Sequence, residues 1–221
     1  MSSTEYKDNI IPEEFADIAP YRENQYTEVM TRLVKEPGFE HAVRYAMPGV
    51  DYDAFVEGLL SVKTQSRFQQ DIMGKFLEGL AATTTAGISI DGLENCDRNK
   101  NYTFISNHRD IVLDSALLDV LLIDAGCATT CEIAIGDNLL SLPWVKDLVR
   151  VNKSFIVKRS LSMREMLMAS KLLSEYMHYA ISEKNENIWI AQREGRAKDS
   201  NDRTQDAILK MMVMGGEGSV A

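Results

Sequence analysis

The chain has 221 residues, enough for one domain or one domain with a small helical appendage, and its 45% hydrophobic and 26% charged residues suit a chain that buries its own core. A formal net charge of −9 and a pI near 4.9 exclude a dedicated nucleic-acid binder, which would carry a basic field, and leave no general attraction to anionic lipid. Three cysteines, Cys96, Cys127 and Cys131, follow an acidic start with no basic or apolar leader; this points to a reducing cytoplasm, with the thiols as small buried side chains rather than a zinc set.

Residues 1–20 read as a loose acidic arm, and residues 21–82 as a helical region. From Glu23 to Lys35, the residues Tyr26, Val29, Met30, Leu33 and Val34 recur at helical spacing, and Pro37-Gly38 stops that helix. Further helices follow, broken near Pro48-Gly49. The clearest runs from about Ser66 to Leu80, with Phe68, Ile72, Met73, Phe76, Leu77 and Leu80 on one face. That stripe reads as core packing. The alternative is a membrane-facing helix, although such helices usually carry more Lys and Arg on the polar face. No uncharged apolar run approaches the roughly 18 residues that span a bilayer.

After Thr85 the pattern changes. Short β-type runs at 87–91 (GISID), 102–106 (YTFIS), 131–135 (CEIAI), 154–158 (SFIVK) and 187–191 (NIWIA) alternate with helical patterns at about 111–124, 139–149 and 162–183, with another starting near 203. This alternation predicts an α/β fold with a mostly parallel sheet flanked by helices, preceded by the N-terminal helical region. In such sheets sites lie beyond the carboxyl ends of the strands. Asn107-His108, Arg159 and the run Gln192 to Arg196 each follow a strand directly, where one pocket could collect them.

The triplet His108-Arg109-Asp110 has the letters of a kinase catalytic loop. Such a loop needs an Asn five residues after its Asp, where this chain has Ser115, and a Gly-rich phosphate loop upstream, of which there is none. The residues fit acyl transfer better. A base must take the proton of an attacking hydroxyl, and His suits this near neutral pH. A carboxylate must hold the imidazole in one tautomer; Asp110 and Asp114, both near the start of the next helix, are the candidates. Direct attack needs no protein nucleophile, metal or other cofactor, and a phosphate-bearing acceptor needs fixed cations.

Three segments together resemble the glycerolphosphate and lysophosphatidate acyltransferase family over about residues 86–200. Asn107-His108 followed by Asp is similar to its first block, Phe155-Ile156-Val157-Lys158-Arg159 to its second, and Gln192-Arg193-Glu194-Gly195-Arg196 to its third. The resemblance implies that His108 is the base and an Asp its orienter. It also implies that Arg159 and Lys158 grip the acceptor phosphate, while Glu194, Gly195 and Arg196 shape the acceptor site. The departures are specific. Asp114 stands six residues after His108 where the family has five, so either the turn carries an extra residue and Asp114 still reaches the ring, or Asp110 takes the role. Arg193 stands for the usual Pro, and a Thr is missing before Arg196, which leaves both Arg196 and Lys198 open as the phosphate ligand. The family's fourth block is not found before the terminal GGEGSVA, so the acyltransferase domain, 86–221, is expected to be truncated or to lack that block. The implied donor is acyl-CoA or acyl-carrier-protein. The implied acceptor is a lysophospholipid or a glycerol phosphate, met at a membrane surface from the cytoplasmic side, with residues 21–82 as the candidate docking element. The rival reading is a non-catalytic lipid-binding or scaffold module that keeps the fold.

Overall fold

A computed structural model describes residues 11–199 and 201–216. The N-terminal helices are α1 (Tyr26–Leu33), α2 (Pro37–Ala46), α3 (Tyr52–Ser61), α4 (Gln65–Arg67) and α5 (Lys75–Thr84), the last two joined by a π-helical segment, Phe68–Gly74. Then come β1 (Thr103–Ser106), α6 (Leu113–Asp124), β2 (Cys131–Gly136), α7 (Pro143–Val151), β3 (Ser154–Val157), α8 (Met163–Ser182), β4 (Asn187–Ala191) and α9 (Asp206–Met212).

The four strands form one all-parallel sheet in the order β1-β4-β2-β3. The predicted α/β class is therefore the observed one. Ile188 and Ile190 of β4 turn to the α8 side, whereas Trp189 packs on the α6 side with Leu122 and Cys131, the period-2 alternation of a strand covered on both faces. The segment 87–91, expected as a fifth strand, forms none. Gly87 and Gly92 bracket it at φ +137° and +85°, and it has no strand to pair with. Local β-propensity without a ladder partner does not make a strand.

The expected arm differs too. Residues 1–10 lie outside the described residues, but from Ile11 on the chain is packed. Ile11, Phe15, Ile18 and Ala19 join the core beneath α8, and the Phe15 ring lies 5.4 Å from the rings of both Tyr176 and Tyr179. The Ile18 carbonyl accepts the Ile156 N–H at 2.8 Å, so this segment covers the outer edge of β3. Arg150 pins it further, donating to the carbonyls of Ala16 and Ala19 at 2.7 and 2.8 Å.

Helix α1 ends at Leu33, short of Lys35, and Pro37 does more than stop it. Pro37 occupies the first turn of α2, where its missing N–H costs nothing. Asp51 caps α3 by accepting the Ala54 N–H at 3.2 Å, and Thr64 caps α4 by accepting the Arg67 N–H at 3.2 Å. Tyr26, Met30, Leu33, Leu59 and Phe68 close into one cluster with Val151 of α7. Most of the apolar residues of this region are thus packed inside the protein, Tyr45 of α2 excepted. At the π segment Gln69 turns inward, receives the Thr130 hydroxyl and donates to the Asn152 carbonyl at 3.3 Å.

The amino ends of the strands carry a buried polar layer. Glu132 accepts from the Tyr176 hydroxyl and the Lys184 ammonium. Lys153 donates to Glu186 at 2.7 Å and to Thr129 and Thr130 at 3.1 and 3.0 Å. Asp119 accepts the Cys131 N–H at 2.7 Å. Burial pushes the Asp119 carboxyl up to about 7, against the opposing pull of that N–H and of Lys153.

Candidate active site

Because every strand runs the same way, all four carboxyl ends meet one edge of the sheet, with Ser106 beside Ala191 and Gly136 beside Val157 in register. The loop after β1 carries Asn107 and His108. His108 Nδ1 lies 3.2 Å from Asp114 Oδ2, with both side chains 18% exposed. The same oxygen accepts the backbone N–H of Arg109 at 2.7 Å and of Asp110 at 3.0 Å. The extra residue between His108 and Asp114 is thus taken up in a tight turn whose amides point at the carboxylate. Asp110 has a different task. Its Oδ1 accepts the N–H groups of Val112 and Leu113 at 2.8 and 2.9 Å, which caps the entry to α6, and those bonds hold its carboxyl below the usual range. Of the two carboxylates left open by the sequence, Asp114 is the one at the ring.

His108 is fixed from behind as well. The carboxylate of Asp202 accepts the His108 N–H at 3.0 Å, and the His108 carbonyl accepts the Ala197 N–H at 2.7 Å. The ring meets Trp189 edge to face, with centroids 6.0 Å apart. Gln192 ties the ends of β1 and β4 together. It donates to Asn107 Oδ1 at 2.9 Å and to the Asp202 carbonyl at 3.0 Å, and it receives the Thr204 hydroxyl at 2.9 Å. Asp202 was not singled out by sequence reasoning. It is one of several acidic residues in a polar loop, and no motif marks it.

The cationic residues gather at the ends of β3 and β4. Asp137 accepts the Arg159 N–H at 3.1 Å, and Arg159 Nη1 lies 3.4 Å from Glu194 Oε1. Gly136 makes room for the guanidinium, since a Cβ there would stand 2.7 Å from Arg159 Nε. Gly195 turns the chain at φ +71°, a conformation that suits glycine. Lys158 and Arg196 are exposed and make no hydrogen bond or ion pair with the described residues. Arg196 stands close enough to Asp110 to help hold that carboxyl ionised.

A cleft of about 740 Å³ opens between α8, α9 and the ends of β2, β3 and β4. Its lining includes Lys158, Arg159 and Arg193, the carboxylates of Glu14, Asp17, Glu165, Glu175 and Glu194, and the apolar Ile156, Leu172, Ile190 and Met211. His108 and Asp114 do not line it. They stand on the Trp189 side of the sheet. This cleft therefore does not collect all three clusters. They form two groups joined through the loop after β4, where Arg193 Nε of the cleft wall approaches Asp202 Oδ1 at 3.7 Å while Asp202 Oδ2 holds His108.

The arrangement offers a histidine with an oriented ring, a row of cations and an apolar cleft. Among the described residues no three of His, Cys, Asp and Glu converge as a metal site would require. A family model described as Acyltransferase matches residues 87–215, the segment that holds the sheet, both groups of polar residues and most of the cleft lining. No curated protein matches the chain.

Proposed function

The chain belongs to the acyltransferase family, and on that premise we propose that it moves a fatty acyl group from an acyl-CoA or acyl-carrier-protein thioester to a hydroxyl of lysophosphatidate or glycerol 3-phosphate, as a step in phospholipid synthesis. The work takes place at the cytoplasmic, inner face of a membrane. What supports the reading above all is the contact between His108 Nδ1 and an Asp114 oxygen already fixed by two backbone amides. With Nδ1–H donating to the carboxylate, the lone pair sits on Nε2.

In this reading Nε2 of His108 takes the proton of the acceptor hydroxyl as its oxygen attacks the thioester carbonyl. Asp114 keeps the tautomer and offsets the charge of the imidazolium that forms. The tetrahedral intermediate collapses, the carbon–sulfur bond breaks, and the departing thiolate takes the proton back from Nε2. Arg159 and Lys158 hold the acceptor phosphate, with Arg196 as a further cation. Glu194 positions Arg159, and Asn107 and Gly195 keep the two loops in shape. The apolar cleft next to Arg159 accommodates hydrocarbon.

The test is thiol release from acyl-CoA that depends on an acceptor. His108→Ala is expected to lower acceptor-dependent turnover by about 10²- to 10⁴-fold, the range for loss of a general base. Full turnover in that variant refutes the role of His108. No turnover by the parent on a broad panel of acceptors, together with saturable lipid binding, favours a non-catalytic lipid-binding module instead.

A further inference from the structure

We propose that the first two turns of α8 enter the surface of an anionic lipid bilayer and hold the cleft against it. Residues 162–168 are exposed without interruption, and Met163, Met166, Leu167 and Met168 are 90%, 50%, 62% and 62% exposed. A helix that ends in water would place polar side chains there, and a contiguous apolar tip marks a binding surface. The same edge of the fold carries the exposed Ile111 and Val112 in the loop after β1, and Leu139 and Leu142 after β2. By contrast, within the region expected to dock, residues 21–82, the apolar residues of α1, α2, α3 and the π segment pack into one cluster with α7.

The occupant follows from charge. The chain as a whole is acidic, at −9, yet among the described residues Lys158 and Arg164 stand unpaired beside this tip, next to Arg159 and Lys171, which are paired with Glu194 and Glu175, while Glu165 is the one carboxylate on the tip itself. Glu165 is itself engaged, receiving the backbone N–H and the hydroxyl of Ser162 in the capping box that starts the helix. Cations around an apolar wedge suit anionic headgroups over acyl chains. The tip is also continuous with the cleft, because Met166 and Met168 line the same cleft as Lys158 and Arg159. A lipid in the leaflet thereby reaches the cations without leaving the bilayer. Among the described residues no helix is long and apolar enough to cross a membrane, so this contact is an interfacial one.

The inference rests on the proposed lipid acceptor for its meaning, but its test does not use turnover. The full chain is floated with vesicles of phosphatidylcholine containing phosphatidylglycerol, and with phosphatidylcholine alone. The parent is expected to float with the anionic vesicles, and less so in high salt or with the neutral ones. Met163→Glu together with Leu167→Glu is expected to lower the bound fraction by about tenfold. Neither residue lines the cleft, so turnover on soluble short-chain acyl-CoA with glycerol 3-phosphate and no vesicles stays at the parent's level. The paired exchange Met163→Leu with Leu167→Met, which keeps the apolar tip, is expected to float like the parent. Arg164→Glu, which leaves the apolar residues intact, is expected to weaken only the anionic preference. Unchanged flotation of the double Glu variant, or a parent that floats with neither vesicle, overturns the proposal. So does a parent that is a dimer in solution without vesicle binding and becomes a monomer with the two Glu substitutions. If flotation falls as stated but neither protein turns over any acceptor, the acyl-transfer reading fails and the docking surface stands.

Discussion

Asp202 offers the sharpest test of how the histidine is held. Its side chain is 1% exposed, one oxygen accepts the His108 N–H at 3.0 Å, and the other faces the buried Nε of Arg193 at 3.7 Å. Asp202→Ala leaves the His108 N–H without a partner and takes the counter-charge from Arg193, whose Nε makes no hydrogen bond among the described residues to begin with. An unpaired buried donor costs about 1–3 kcal/mol. Stranding a fully buried cation costs about 3–5 kcal/mol, but the Arg193 side chain is 31% exposed and can turn toward water, so this part is discounted heavily. The sum is about 2–4 kcal/mol, which a domain with the usual stability of about 5–15 kcal/mol survives. Guanidinium unfolding gives that number directly. The same change frees the loop that aims His108, and a displacement on the order of 1 Å lowers turnover by about a hundredfold. The expected kinetic signature is a fall in kcat with little change in the KM for acyl-CoA, a split that a merely structural residue would not produce. Asp202→Asn retains a neutral acceptor for the His108 N–H and is expected to recover most of the kcat. An Asp202→Ala protein whose kcat lies within about threefold of the parent's refutes the argument, as does an unchanged unfolding midpoint.

Two further perturbations test other parts of the molecule. In Gly136→Ala the new methyl group would stand 2.5 Å from Asn138 Oδ1 and 2.7 Å from Arg159 Nε, and both are ends of flexible side chains. The fold is therefore expected to tolerate it while Arg159 is displaced, with the KM for a phosphate-bearing acceptor rising about tenfold and kcat held; an unchanged KM excludes Arg159 as a phosphate ligand. Asp119 predicts a pH dependence, because its carboxyl is raised from the ordinary 3.8 to about 7 by burial, with Lys153, Cys131 and Glu186 as its charged or titratable neighbours. Between these two values the folded chain holds a proton that the unfolded chain has lost. This contribution to stability is therefore complete below about pH 4, declines by roughly 1.4 kcal/mol per pH unit as pH rises, and levels off above about pH 7. Asp119→Asn is expected to remove that decline in unfolding midpoints taken across the same range, and parallel slopes in parent and variant contradict it.

The sheet and its helices were readable because burial writes a period into a sequence: β4 alternates Ile188, Trp189 and Ile190 between two packed faces, and α1 repeats its apolar residues at helical spacing. What escaped depended on partners distant in the chain. Ile11, Phe15, Ile18 and Ala19 are too sparse among acidic neighbours to announce a core segment, and only the open edge of β3 and the rings of Tyr176 and Tyr179 make them one. The segment 87–91 has strand-like residues and no ladder to join. At the histidine, residue types narrowed the orienter to two carboxylates. Their separate tasks depend on which amides each one faces, and spacing alone does not contain that.

Strand ends tell which edge of a sheet carries the chemistry but not which face, and this is where one pocket became two groups. The ring of His108 packs on Trp189, on the α6 face, while Arg159 lines the cleft under α8. In the proposed reaction, an acceptor hydroxyl attacking between them lies over the carboxyl edge of the sheet, with its phosphate on one side and its reacting oxygen on the other. The loop after β4 spans that edge: Arg193 and Glu194 belong to the cleft, Gln192 binds Asn107, and Asp202 binds the His108 N–H. Distance between Arg159 and His108, the proposed phosphate ligand and the proposed base, is thus set by the loop after β4, tied at both ends. Loosening either tie is expected to act on kcat, through the placement of the oxygen, more than on the affinity for either substrate alone.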